Sequence, residues 1–249
     1  MRSLFGAAAV ALGAVLSVSH AADSAKVPAY VTAAVAEPTR PDRDRQRDAD
    51  RKPDLVLSFA GVKPGDSVGE LLPGGGYYTR LLCQVVGVTG RVYTIRVLPV
   101  VASNRPPGPD DPKNPCTNLI PLSQGAAELN LPTGLDVVWT SENYHDLHNR
   151  NFGPADMKAF DTAVFRALKP GGVFIIEDHA AQTGSGARDT ETLHRIDPEL
   201  VKQELASAGF EFAGSSEVLK SADDPMTDKV FELKGKSNKM LFKFRKPGK

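Results

Sequence analysis

The chain has 249 residues, 41% of them apolar and 24% charged, which is ordinary for a globular protein with room for one sizeable domain. Thirty basic and thirty acidic residues cancel, so no global field draws the protein to nucleic acid or to an anionic membrane. The sequence has no internal repeat.

The first segment reads as a secretory signal peptide. Arg2 supplies a small positive region, residues 4–18 are apolar, and Ser19-His20-Ala21 is a small-x-small cleavage site. Residues 1–21 are therefore expected to be removed before Ala22, leaving a periplasmic or secreted protein. No later segment is apolar enough to span a bilayer, so no membrane anchor is expected after cleavage. In an oxidising compartment Cys83 and Cys116 could form a disulfide; the alternative is that Cys83 is a small buried apolar residue. Residues 22–41, small and polar with several prolines, are expected to be a poorly ordered lead-in to one α/β domain over 42–249. Residues 42–52 alternate in charge sign, the pattern of a solvated surface helix. Pro53 suits the first turn of a short helix with Leu55 and Phe59 on one face and Gly61 as its stop.

The chain is organised around residues 68–82. A short apolar strand, 67–71, carries Glu70 near its end, turns through Pro73, Gly74, Gly75 and Gly76, and opens into a helix over 77–86. A second strand, 91–96, follows. The six prolines of 99–115 exclude a helix and predict a long loop. A short third strand is expected at 118–121 and a fourth at 134–140. The fourth runs into Ser141-Glu142-Asn143-Tyr144-His145-Asp146, polar residues placed at the carboxyl edge of a sheet. A helix over 154–168 presents Met157, Phe160, Val164, Phe165 and Leu168 as a core stripe. Lys169-Pro170-Gly171-Gly172 is expected to be a turn leading to a buried fifth strand that ends in Glu177-Asp178-His179. Asp197 caps a helix to 208, and strands over 210–219 and 239–245 close the sheet.

The run from Glu70 through Gly76 to Arg80 resembles the first motif of class I S-adenosylmethionine-dependent methyltransferases. Together with Asn143-Tyr144-His145-Asp146 it resembles more closely a bacterial family of predicted exported methyltransferases, and the Lys169 to Gly172 turn is similar to one found in many class I enzymes. The resemblance implies a doubly wound, Rossmann-like α/β sheet, mostly parallel with an antiparallel C-terminal strand. It implies S-adenosyl-L-methionine as cofactor, with Glu70, Gly74 and Gly76 around its methionine end, Gly75 and Tyr77 in the same binding turn, and Asn143 or Tyr144 near the methyl group. The partner it implies is a small-molecule methyl acceptor.

One position departs from that pattern. Arg96 stands at the end of the second strand, where class I enzymes carry an acid for the ribose hydroxyls. That departure keeps two alternatives open: a methyltransferase-fold protein that binds a ligand or partner without catalysis, and an NADP-binding protein with Arg96 meeting a 2′-phosphate. The histidines also read in several ways. His145 or His179, oriented by Asp146 or Asp178, would serve as a general base. His145, Asp146, Asp178 and His179 could instead hold a metal, although no familiar ligand spacing is present and none is expected. The third reading leaves them as structural groups at the sheet edge.

Overall fold

The computed structural model describes residues 26–98, 116–152 and 154–248. The expected signal peptide and the proline-rich loop lie outside those residues.

A seven-stranded sheet forms the centre. In chain order its strands are β1 (Ser67–Leu71), β2 (Arg91–Leu98), β3 (Leu119–Gly125), β4 (Leu135–Ser141), β5 (Leu168–His179), β6 (Glu211–Ser215) and β7 (Lys239–Arg245). They lie in the order β3-β2-β1-β4-β5-β7-β6. The first five pair in parallel, and β7 runs antiparallel between β5 and β6. Central strands covered on both faces need apolar residues at successive positions, as Val137, Val138 and Trp139 of β4 show.

The helices are α1 (Ala29–Val35), α2 (Asp42–Arg45), α3 (Asp48–Arg51), α4 (Pro53–Ala60), α5 (Tyr77–Val86), α6 (Met157–Ala167) and α7 (Pro198–Ser207). One face of the sheet carries α1, α4 and α5, whose Val31, Leu57, Leu81 and Val85 pack with Trp139 and Ile175. The other carries α6 and α7, whose Phe160, Val164, Val201 and Leu205 pack with Val138 and Phe174. Among the described residues, no helix is long and apolar enough to cross a membrane. Cys83 of α5 and Cys116, just before β3, form a disulfide with Cα atoms 5.7 Å apart.

Five local expectations need correction. The lead-in contains α1, because Val31 and Ala34 find a core to enter. The charge-alternating segment folds into α2 and α3 with Asp44 and Arg51 buried, since each meets an opposite charge from elsewhere in the chain. In α4 the buried face is Val56, Leu57 and Ala60, while Leu55 is exposed. The third strand runs on to Gly125 because β2, extended to Leu98, supplies partners along its whole length. Finally, Lys169 to Gly172 belongs to the extended start of β5. Leu168 pairs with Leu135 and the register shifts before Val137. A Cβ on Gly172 would stand 2.9 Å from the Lys169 carbonyl oxygen, so the close approach requires glycine.

Candidate active site at the carboxyl edge of the sheet

Parallel strands of a doubly wound sheet open a crevice where the strand order reverses, here between β1 and β4. The loops leaving both strands border it. After β1 the chain turns through Gly74 and Gly76, both at positive φ (55° and 76°), and Gly76 starts α5. Gly74 and Gly75 are exposed, and a Cβ on Gly75 would meet nothing within 4 Å. Gly76 supplies no capping side chain, and the Glu70 carboxyl takes up the Thr79 backbone N–H, which leaves the first two N–H groups of α5 to a polar or anionic group. Across the crevice, the Asn143 side-chain amide donates to the Leu72 carbonyl at 2.9 Å, tying the two loops together.

The remaining residues expected around the cofactor have hydrogen-bond partners within the protein. The Glu70 carboxyl, 3% exposed, lies beneath α5, where the Thr79 hydroxyl donates to it at 2.5 Å. Burial pushes its pKa up to about 8, against the opposing pull of Thr79, Arg80 and Arg51. The Tyr77 hydroxyl donates to Asp48 of α3 at 2.6 Å. Tyr144 is fully buried on the opposite side, its hydroxyl within hydrogen-bond distance of Asp161 (2.9 Å) and Glu204 (3.0 Å). It therefore faces α6 and α7, and Asn143 alone of that pair stays at the crevice.

The segment from Arg40 to Arg51 forms a strap over the start of α5. Asp44 receives two hydrogen bonds from the buried Arg80, at 2.6 and 2.9 Å, and Arg80 also donates to the Gly75 carbonyl at 2.9 Å. Arg40 forks onto Asp48 at 2.7 and 2.8 Å. The Arg51 guanidinium stands 4.8 Å from the Tyr77 ring centroid and pairs with Glu142, the residue that follows β4 at φ 58°. Burial disfavours charge on Glu142, but Arg51 and Lys239 help hold its carboxyl down at about 2. Beside this pair is a cleft of about 200 Å³ whose charged lining is Arg47, Arg51, Lys234 and Lys239 against Asp50 and Glu142.

A second cluster follows β4 and β5. Both oxygens of the buried Asp178 hold His145: one accepts from its backbone N–H at 2.7 Å, the other lies 2.8 Å from Nδ1. Burial works against a charged His145 ring, yet Asp178 and Asp146 raise its pKa above the usual histidine value. His145 Nε2 faces His194 Nδ1 at 3.3 Å and an Asp146 oxygen at 3.4 Å. His179 does stand beside His145, ring centroids 6.0 Å apart, but its Nδ1 bonds Ser237 at 2.8 Å and burial lowers its pKa to about 4. His145 is itself buried, whereas the His194 side chain is 31% exposed and lies against Phe231. The imidazole that opens to solvent is thus His194, and His179 is a neutral ring held within the protein. Sequence reading missed His194 because it sits in a loop 49 residues from His145 and carries no local signal.

No protein-family model and no curated protein sequence matches the chain. Solved structures do. A methyltransferase from Aquifex aeolicus described as S-adenosylmethionine-dependent superposes with a TM-score of 0.55 at 19% identity, over 82% of this chain and 98% of its own. One from Mesorhizobium loti gives 0.53 at 16% identity, over 80% and 99%. The fold is that of the class I S-adenosylmethionine-dependent methyltransferases. The [4+2]-cyclase SpnF shares this methyltransferase fold as well, with a TM-score of 0.56 at 16% identity, over 82% of this chain and 83% of its own. No carboxylate lies along β2, where Arg96 occupies the position the fold usually gives to an acid.

Proposed function

We propose that the protein is an exported methyltransferase that uses S-adenosylmethionine to modify a small-molecule acceptor. The observation that carries this reading is the open glycine cradle at the start of α5, at the point where the sheet order reverses. Methyl transfer from a sulfonium asks the protein mainly to hold donor and acceptor in line. Gly74, Gly75 and the first turn of α5 would receive the methionine end. Asn143 borders the reacting centre, and His145, Asp146 and His194 form the acceptor end, with Asp178 orienting His145. Export is supported by the Cys83–Cys116 disulfide, a bond that persists in oxidising compartments.

Titration calorimetry with S-adenosylmethionine and S-adenosylhomocysteine tests the donor site. Gly75 is exposed and its φ is not positive, so Gly75→Phe should fold normally and lose binding by filling the cradle. Absence of binding by the unaltered chain sinks the methyltransferase reading. It favours the second one, a methyltransferase-fold protein that binds a ligand without transferring a methyl group. The missing carboxylate on β2 supports that alternative, and SpnF, described as a cyclase, shows that the fold hosts other chemistry.

A further inference from the structure

We propose that His145, Asp146 and His194 form a binding site for one divalent first-row transition-metal ion of the zinc type. The argument begins with geometry. Zinc–ligand bonds of about 2.0–2.1 Å in a tetrahedral arrangement place neighbouring ligand atoms about 3.3 Å apart. His145 Nε2 to His194 Nδ1 is 3.3 Å, and His145 Nε2 to Asp146 Oδ1 is 3.4 Å. The third edge, His194 Nδ1 to Asp146 Oδ1, is 3.9 Å. Two edges already match, and the third closes by a small movement of two side chains that are 31% and 27% exposed.

The donor set points the same way. Two imidazoles and one carboxylate suit zinc, iron or their first-row neighbours and are a poor match for calcium or magnesium. The second shell is already in place. Asp178, fully buried, bonds His145 Nδ1 at 2.8 Å, which directs the Nε2 lone pair at the cluster, the arrangement in which metal-bound histidines are usually held. His194 adopts a left-handed backbone, φ 56°, and its ring is set at 89° to that of His145. The buried His145 forms the floor of the cluster, and Asp146 and His194 border its solvent side. Three protein ligands thus leave a coordination position open, as in catalytic rather than structural zinc sites.

Metal binding here does not depend on the methyl-donor reading. Its role does: in the proposed enzyme the open position would receive an oxygen or sulfur of the acceptor and favour its deprotonated form.

The test is calorimetric titration of Zn²⁺ into untagged, chelator-washed full-length chain, with Co²⁺ absorption spectra as a second readout. One ion per chain is expected, with a Co²⁺ spectrum of four- or five-coordinate type. His194→Ala changes a partly exposed ring, so it should keep the fold by circular dichroism and weaken binding at least about a hundredfold. Asp178→Asn should cost roughly 10–100-fold through the second shell. No stoichiometric binding overturns the proposal, as does zinc affinity unchanged in His194→Ala. Binding lost in His179→Ala but retained in His194→Ala would likewise refute this ligand set. Zinc binding without S-adenosylmethionine binding leaves this site standing and defeats the proposed function, and the converse separates them equally well.

Discussion

Glu70→Gln probes the deepest consequence of the glycine turn. The carboxyl lies beneath α5 with a pKa near 8, whereas an unfolded chain releases that proton near 4.5. Between those pH values the folded protein holds a proton that the unfolded one has lost. The stability linked to that proton is therefore fully present below about pH 4.5 and disappears as pH rises to about 8. At 1.36 kcal/mol per unit, the full excursion amounts to about 5 kcal/mol, and about 3 kcal/mol is gone by pH 7. Glutamine keeps the shape and hydrogen-bonds Thr79 but cannot ionise. The free-energy difference between variant and wild type should therefore move in the variant's favour by several kcal/mol from pH 4.5 to 8. Urea denaturation at four pH values, followed by the fluorescence of the single, fully buried Trp139, measures it directly. Parallel stability curves for the two proteins would show that Glu70 stays ionised against Arg80, and the burial argument would fail. Because the Glu70 carboxyl is buried and already bonded to Thr79, S-adenosylmethionine affinity, where present, should change by only a few-fold.

His179 shifts the opposite way: its folded pKa near 4 means that acid protonates the unfolded chain first. Stability should rise by about 3 kcal/mol between pH 4 and 6.5, and His179→Asn should flatten that rise in the same denaturation series. Reducing the Cys83–Cys116 bond, which closes a separation of 33 residues, should cost about 2–4 kcal/mol, read as a lower urea midpoint with reductant; an unchanged midpoint would contradict the bond. Asp44→Asn leaves the Arg80 charge buried without its partner and should cost about 3–5 kcal/mol, of which Arg80→Met in the same chain recovers a large part. Thermal melts of the two single variants and the double variant check this, and additive losses would mean that the pair is not coupled.

Much of the sheet was readable from local signals. Val68 to Leu71, the glycines after it and the helical spacing from Tyr77 predicted β1 and α5 with their observed bounds, and the range 239–245 coincides with β7. Such elements are set by hydrophobic period, proline and glycine, all of which act within a few residues. The clustering of polar residues after β4 and β5 was likewise legible, because a parallel sheet brings its carboxyl ends to one edge.

What only the tertiary structure decided is which of those side chains meet, and from which direction. Asp42 to Arg51 alternates in charge and reads as solvated, yet Arg80, 36 residues beyond Asp44, turns part of it into a buried strap. Glu70 occupies the motif position for a ligand-facing acid, and only the fold shows that its buried carboxyl is bonded to Thr79 of α5. Tyr144 leaves the crevice because its hydroxyl is bonded between Asp161 and Glu204 on the other face. His194, with no motif around it, arrives at His145 through a loop whose course depends on contacts far along the chain, including the buried pair of Arg195 and Asp224. Periodicity specifies which residues share a face of one element. Ion pairs and donor sets join residues tens of positions apart, and those distances exist only once the chain has folded.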